Sequence, residues 1–167
     1  VAVTGVQTCA LPISTPFRDR ALYMQGWSRF KQGQPEAALQ SFFGVLDVKL
    51  GPDPGRRNLS ELEGLSRADR ELLEDTFRVS SLCLTSQQGA EGIAGYIGTP
   101  VRRAYAFHVY EQLAEFYLKQ DRPKDAADTL ALFARRQPDD GQAARLDARA
   151  IEVDERAGFA SLALEAK

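Results

Sequence analysis

Residues capable of catalysis or metal binding are few in this chain. His108 is the only histidine, which leaves no second imidazole for a zinc site and no Ser-His-Asp arrangement that the sequence signals. Cys83 lies in the stretch SSLCLTS among apolar neighbours, where the default is a buried thiol. Asp139-Asp140-Gly141 is a turn that lacks the alternating oxygen ligands of a calcium loop. The sequence therefore predicts no enzymatic activity, no cofactor and no metal site.

Charged residues show one helical pattern and no basic excess. Glu111, Glu115 and Lys119 recur at every fourth position, so they would share one face of a helix, where each charge pair adds roughly 0.2–0.5 kcal/mol. The formal net charge is −2, and the basic pairs Arg102–Arg103 and Arg135–Arg136 lie near acids or near helix ends. Because nucleic-acid binding needs a clustered basic surface, we do not expect a nucleic-acid partner.

Helical signals extend along most of the chain, and no segment alternates apolar and polar residues as a strand does. Proline and glycine divide the pattern at Gly33-Gln34-Pro35, at Gln88-Gly89 and at Gly98-Thr99-Pro100. A breaker-rich insert occupies residues 50–65. The predicted helices are two over about 15–49, one over 66–88, a short one around Ile93, and four over 100–120, 123–136, 142–157 and 159 to the end. Together they would make eight helices in four antiparallel pairs.

One segment of the sequence recurs with the same spacing. Lys31-Gln32-Gly33-Gln34-Pro35 corresponds to Lys119-Gln120-Asp121-Arg122-Pro123. Small residues flank both copies: Gly26 and Ala38 in the first, Ala114 and Ala126 in the second. The pattern resembles the tetratricopeptide repeat, a helix–turn–helix unit of about 34 residues. Since one helix pair cannot bury its apolar face alone, the resemblance implies an all-α fold of antiparallel helix–turn–helix repeats, about four pairs, stacked as a right-handed α-solenoid.

Two further units match the pattern less well. Gly89 with Ala94, and Gly158 with Ala163, would supply a turn glycine and the small residue of the second helix. The turn positions 33, 89, 121 and 158 are then 56, 32 and 37 residues apart, and the insert accounts for the long first interval. The alternative is an irregular α-helical bundle that contains two repeat-like hairpins.

A solenoid of this family presents a concave groove, lined mainly by the first helix of each pair. The resemblance places the groove positions at Arg20, Tyr23, Trp27, Phe30 and Lys31 in the first unit and at His108, Glu111, Glu115, Leu118 and Lys119 in the third. It implies a non-catalytic scaffold whose partner is another protein or a peptide segment. Two alternatives stay open: Trp27 packs against a preceding repeat, and the repeats are spacers in a multidomain envelope protein.

The opening of the chain differs from the rest. Residues 3–13, VTGVQTCALPI, contain no charge and resemble the translation of a common short-read sequencing adapter. We therefore interpret residues 1–14 as a non-native segment, which includes Cys9, and residues 15–167 as the repeat domain. The chain is expected to be a fragment of a larger bacterial protein, with the periplasm or cell envelope suggested only by analogy. It has no run of about 18 apolar residues that would predict a membrane span.

Overall fold

The computed structural model describes residues 17–51 and 65–165, with side chains described as far as residue 158. The predictions for the opening segment 1–14, for the start of the first helix at about residue 15 and for most of the insert at 50–65 lie outside these residues.

Eight helical elements make up the described part of the chain, and it contains no strand. The elements are α1 (Arg18–Lys31), α2 (Pro35–Leu50), α3 (Arg67–Thr85), a 3-10 segment (Gly89–Gly95), α4 (Pro100–Ala104), α5 (Ala106–Lys119), α6 (Pro123–Arg136) and α7 (Ala143–Glu165). Successive elements pack side by side, in the order α1, α2, α3, α5, α6 and α7. The predicted all-α architecture of stacked helical repeats is confirmed.

Local sequence sets most of the helix starts. Proline occupies the first turn of α2, α4 and α6, where its fixed φ suits a helix and its missing N–H leaves no bond unmade. Ser66 caps α3 by accepting a hydrogen bond from the Asp69 N–H at 3.1 Å. Thr99 caps α4 in the same way, through the Arg102 N–H at 3.3 Å. These starts agree with the sequence prediction to within a residue or two.

The structure corrects the prediction at two breaks. The helix predicted over 100–120 is interrupted at Tyr105, which is buried and whose hydroxyl donates to Asp47 Oδ1 at 2.7 Å. Arg102 also binds Asp47, with Nη2 to Oδ2 at 2.8 Å, so a long-range polar cluster fixes this break. The break predicted at Gly158 is wrong, because α7 continues through it. A glycine inside a helix costs only about 1 kcal/mol, which other contacts can offset.

Three of the four predicted turn residues adopt the left-handed conformation. The φ angle is 71° at Gly33, 59° at Gly89 and 57° at Asp121. Gly33 and Asp121 close the hairpins α1–α2 and α5–α6, and Gly89 is the first residue of the 3-10 segment that follows α3. The 3-10 segment stands where the sequence predicts a short α-helix around Ile93. The Ile93 side chain is buried.

Buried aromatic and aliphatic side chains form one continuous core between the helices. Its larger members include Phe42, Phe43, Leu46, Leu73, Phe77, Tyr110, Leu113, Leu130 and Phe133. Every helix pair contributes to this core, so no hairpin buries its apolar face alone.

Candidate functional site

The first helices of successive units run in the same direction and form one face of the molecule. Lys49 Nζ lies 2.6 Å from both Asp19 of α1 and Asp69 of α3, and the Tyr23 hydroxyl donates to Asp75 further along both helices. Residues that increase in number along α1 therefore meet residues that increase along α3. This order requires α1 and α3 to be parallel.

The same test shows that α3 and α5 are parallel. The Phe77 ring lies 6.4 Å from the His108 ring, near the start of α5. A Cβ atom added to Gly89, just beyond the end of α3, would lie 2.8 Å from the Tyr117 hydroxyl near the end of α5. Phe77 within α3 thus meets the start of α5, and Gly89 beyond the end of α3 meets the end of α5, so the two helices run in the same direction.

Two glutamates of α5 join this helix to α7. Glu111 Oε1 accepts from Arg145 Nη1 at 2.9 Å and from Arg149 Nη1 at 3.0 Å, and Glu115 pairs with Arg149 Nη2. The Glu111 side chain is only 14% exposed, so it is committed to helix packing. Because 111 meets 145 and 115 meets 149, α7 also runs parallel to α5.

A cleft of about 680 Å³ lies on this face between α3 and α5. Both walls present side chains at helical spacing, so each wall is one face of one helix. The lining residues are Glu71, Glu74, Asp75 and Arg78 of α3 and Gln112, Glu115, Phe116, Lys119 and Gln120 of α5. The cleft thus combines charged side chains, amides and one partly buried aromatic ring.

Most of the charges in the cleft already have a partner. Asp75 binds Arg78 Nε at 2.9 Å, Glu71 binds Arg67 Nε at 2.8 Å, and Glu115 binds Arg149. Among the residues that the structure describes, Glu74 and Lys119 form no ion pair. These two opposite charges are the ones free to interact with a ligand.

The structure brings together some of the residues that the sequence predicted for the groove. Glu115 and Lys119 line the cleft, and Glu111 lies one helical turn before Glu115. Tyr23 borders the cleft through its hydrogen bond to Asp75. Partial burial and that hydrogen bond raise the pKa of Tyr23, which keeps its hydroxyl protonated as a donor.

The other predicted residues of α1 and α5 do not line this cleft. Arg20 and Lys31 are exposed on α1, and Leu118 is partly buried against the core. The Trp27 ring packs edge-on against Phe30 at 5.7 Å and against Phe42 at 6.4 Å between ring centroids. Trp27 thus packs within its own hairpin and remains only partly buried.

His108 does not line the cleft. It is 1% exposed, and its ring centroid lies 3.8 Å from that of Phe107. The reason is the break at Tyr105, because all residues from 105 to 110 are buried against the core at the start of α5. The spacing of groove positions alone could not reveal this.

Sequence reasoning missed the whole α3 wall and three residues of α5. The missed residues are Glu71, Glu74, Asp75, Arg78, Gln112, Phe116 and Gln120. Positions 71, 74, 75 and 78 follow i, i+3, i+4, i+7 spacing, opposite the buried Leu73 and Phe77. That polar stripe predicts an exposed face of α3 but not a cleft, and the repeat pattern around α3 is too weak to assign groove positions to it.

Other features of the described residues do not form a second chemical site. Cys83 is buried as predicted, and burial raises the pKa of its thiol to about 11, which keeps it a poor nucleophile. No group of His, Cys, Asp and Glu side chains in the described ranges has the arrangement of a metal site. Within those ranges, no helix combines the length and apolarity needed to cross a bilayer.

Comparison with known protein families gives a match, and it lies in the first hairpin. Residues 20–42 match the tetratricopeptide repeat, over α1 and the first half of α2. Over this first hairpin the chain is similar to tetratricopeptide-repeat proteins. The matched stretch includes Gly26, the turn residue Gly33 and Ala38, on which the resemblance was based. Neither the curated proteins nor the solved structures gave a match.

Proposed function

We propose that this chain is a non-catalytic protein-interaction scaffold that binds a segment of another protein in the cleft between α3 and α5. The tetratricopeptide repeat is a protein-interaction motif, which supports this class of function. The observation that carries the proposal is the cleft itself, formed by parallel first helices and lined by the predicted Glu115 and Lys119.

The cleft residues suit distinct parts of a bound polypeptide. Gln112 and Gln120 have amide groups that can donate to and accept from a peptide backbone. Phe116 offers a partly buried ring on which an apolar side chain can pack. Arg20, Tyr23, Trp27 and Lys31 extend the proposed surface along α1. His108, which is buried, supports α5 from the core side.

A selection from random peptides tests the proposal directly. Binders to the purified chain would be mapped by changes in backbone amide NMR shifts. We expect the largest changes along residues 71–78 and 112–120. Lys119→Glu should weaken the selected binders, whereas the matched charge reversal Arg135→Glu on exposed α6 should not. Binders that map elsewhere, or that are insensitive to Lys119→Glu, would contradict the cleft assignment.

A structural spacer in a multidomain envelope protein is the second candidate. It is favoured by one observation: Tyr23 and Glu111, both predicted for the groove, are engaged with Asp75 and with Arg145 and Arg149 of neighbouring helices. A spacer would give no cleft-specific binder in the same selection. Its repeats would still unfold as one cooperative unit, so stability alone does not separate the two candidates.

A further inference from the structure

We infer that the cleft selects an oriented segment carrying a Lys or Arg side chain at one end, an Asp or Glu side chain at the other, and an apolar side chain between them. This inference rests on the proposed function and names the chemistry of its partner.

On each wall the acids precede the base. Along α3 the sequence of lining charges is Glu71, Glu74 and Asp75, followed by Arg78. Along α5, Glu115 is followed by Lys119 one turn later. Because α3 and α5 are parallel and Phe77 lies beside His108, the lining residues of α5 continue the cleft beyond those of α3. Glu74 therefore lies toward the N-terminal end of the cleft and Lys119 toward its C-terminal end, and these two charges define a polarity along its length.

Internal ion pairs sharpen this polarity. The pairs Asp75–Arg78, Glu71–Arg67 and Glu115–Arg149 neutralise every other lining charge. Glu74 and Lys119 are left without an ion pair among the described residues, one on each wall. A partner that covers them must supply opposite charges, because a charge buried without a counter-charge is strongly destabilising. A partner with the reverse order would place like charges together and be rejected.

An apolar side chain is favoured between these two charges, Glu74 and Lys119. Phe116 lines the cleft while partly buried, and it lies one turn before Lys119, on the side toward Glu74. The amides of Gln112 and Gln120 flank it one turn away on either side. An extended segment could therefore pack one apolar side chain on the ring while its backbone meets the amides.

The test uses synthetic peptides, acetylated and amidated so that no terminal charge contributes. One series carries Lys, Leu and Glu in this order with alanine spacers of increasing length, and a second series carries the reverse order. Matched series replace Lys, or Glu, or both by Gln. Binding to the whole chain is measured by fluorescence anisotropy at low salt, since such contacts weaken as salt increases.

We expect one charge order to bind best and each Gln replacement to weaken binding by about fivefold. Glu74→Lys and Lys119→Glu should each weaken it by about tenfold, since attraction becomes repulsion. The double reversal Glu74→Lys with Lys119→Glu should restore binding, now with preference for the opposite peptide order. Glu36→Lys and Arg135→Glu, exposed on the second helices, are the matched controls and should change nothing. Circular dichroism would verify that each variant is folded.

The outcomes separate the inference from the proposed function. If peptides bind the cleft equally well with both charges replaced by Gln, the inference is wrong and the scaffold proposal stands. If the double reversal binds neither order, the charges do not orient the partner and the inference is again overturned. If no charged or random peptide binds the cleft, both the inference and the proposed function fail.

Discussion

The hairpins α1–α2 and α5–α6 share the same turn geometry and differ in side-chain packing. In the first turn the Gly33 N–H donates to the Phe30 carbonyl and the Gln34 N–H to the Arg29 carbonyl, both at 3.0 Å. This pair of bonds is the Schellman motif, which closes a helix through a left-handed residue. Pro35 then starts the second helix directly.

The second hairpin repeats that geometry with another turn residue. The Asp121 N–H donates to the Leu118 carbonyl at 3.1 Å and the Arg122 N–H to the Tyr117 carbonyl at 3.0 Å. Pro123 starts α6 as Pro35 starts α2. The left-handed residue is aspartate in one hairpin and glycine in the other, so the turn is set by hydrogen bonding and tolerates a strained residue.

The helix interface uses two different size combinations. In the first hairpin Gly26 of α1 faces the buried ring of Phe42, and an added Cβ would overlap Phe42 Cε1. The equivalent positions of the second hairpin hold Ala114 and Leu130, both buried. The smaller glycine of the first hairpin thus faces the larger phenylalanine, and the larger alanine of the second hairpin occupies the position that goes with the smaller leucine. The repeat therefore preserves the combined volume of the two side chains at this interface rather than the identity of either residue.

The largest expected effect comes from breaking that combination with Gly26→Ala. The new methyl group would overlap the Phe42 ring, and overpacking of a core typically costs about 1–3 kcal/mol. Because the methyl group would overlap several atoms of the ring, we expect a cost at the upper end of this range, about 3 kcal/mol. Alanine regains roughly 1 kcal/mol of helix propensity, which leaves a net loss of about 2 kcal/mol in the free energy of unfolding. Urea denaturation followed by circular dichroism measures it.

The double variant Gly26→Ala with Phe42→Leu copies the second hairpin. In the Phe42→Leu background, Gly26→Ala should be neutral or slightly stabilising, because the overlap is gone. The equivalent change Ala114→Gly serves as control and should cost only about 1 kcal/mol of helix propensity. Additive losses in the double variant would show that the two positions do not share one volume.

The hairpins also differ at the base of their first helices, where only the first has a charged junction. Asp19 is buried and binds Lys49, whereas the equivalent residue of the second hairpin is the buried Phe107. Burial raises the pKa of Asp19, but hydrogen bonds from Lys49 and from the Arg20 N–H outweigh it and lower the pKa below its ordinary 3.8. The hydrogen bond from Lys49 also lowers the pKa of Asp69.

Lys49→Met should therefore destabilise the chain by about 1–2 kcal/mol near neutral pH, because it leaves Asp19 buried without its cation. A lowered carboxyl pKa adds stability above the ordinary value of 3.8, and this is lost as the pH falls through the folded-state pKa. The unmodified chain should lose stability below about pH 4, and the variant should show a shallower loss. Urea denaturation between pH 7 and pH 3 measures both, with the exposed Lys124→Met as control. Equal slopes would contradict this assignment.

How much the sequence predicts depends on how local the determinant is. The starts of α2, α4 and α6 were predicted because proline restricts its own φ. The break at Tyr105 was not, because it depends on a contact with Asp47, which is far away in the sequence. A glycine signals a turn only where the chain needs positive φ, which is why Gly33 and Gly89 were informative and Gly158 was not.

In the candidate site, too, the residues that could be predicted are those with a local determinant in the sequence. Glu115 and Lys119 could be placed because the third unit keeps the repeat spacing. The α3 wall could not, since the second helix of its unit is reduced to a 3-10 segment and the repeat pattern is weak there. Burial of His108 depends on how α5 begins after the break at Tyr105, which is a property of the tertiary structure.

The smallest expected effect concerns the turn residues, and it tests whether the two turns are equivalent. Asp121 has a φ of 57°, which is unfavourable for a residue with a Cβ but tolerated best by Asn and Asp. Asp121→Gly should remove this strain and stabilise the chain by about 0.5 kcal/mol, since the greater freedom of glycine in the unfolded chain offsets part of the gain.

In the other turn, nothing lies within 4 Å of a Cβ added to Gly33, so Gly33→Asp would introduce the strain alone and cost a similar amount. Thermal unfolding measures the Tm of both variants. Shifts of a few degrees in opposite directions would show that one backbone turn serves both hairpins. Shifts of the same sign would mean that the Asp121 side chain makes a stabilising contribution of its own that glycine cannot replace.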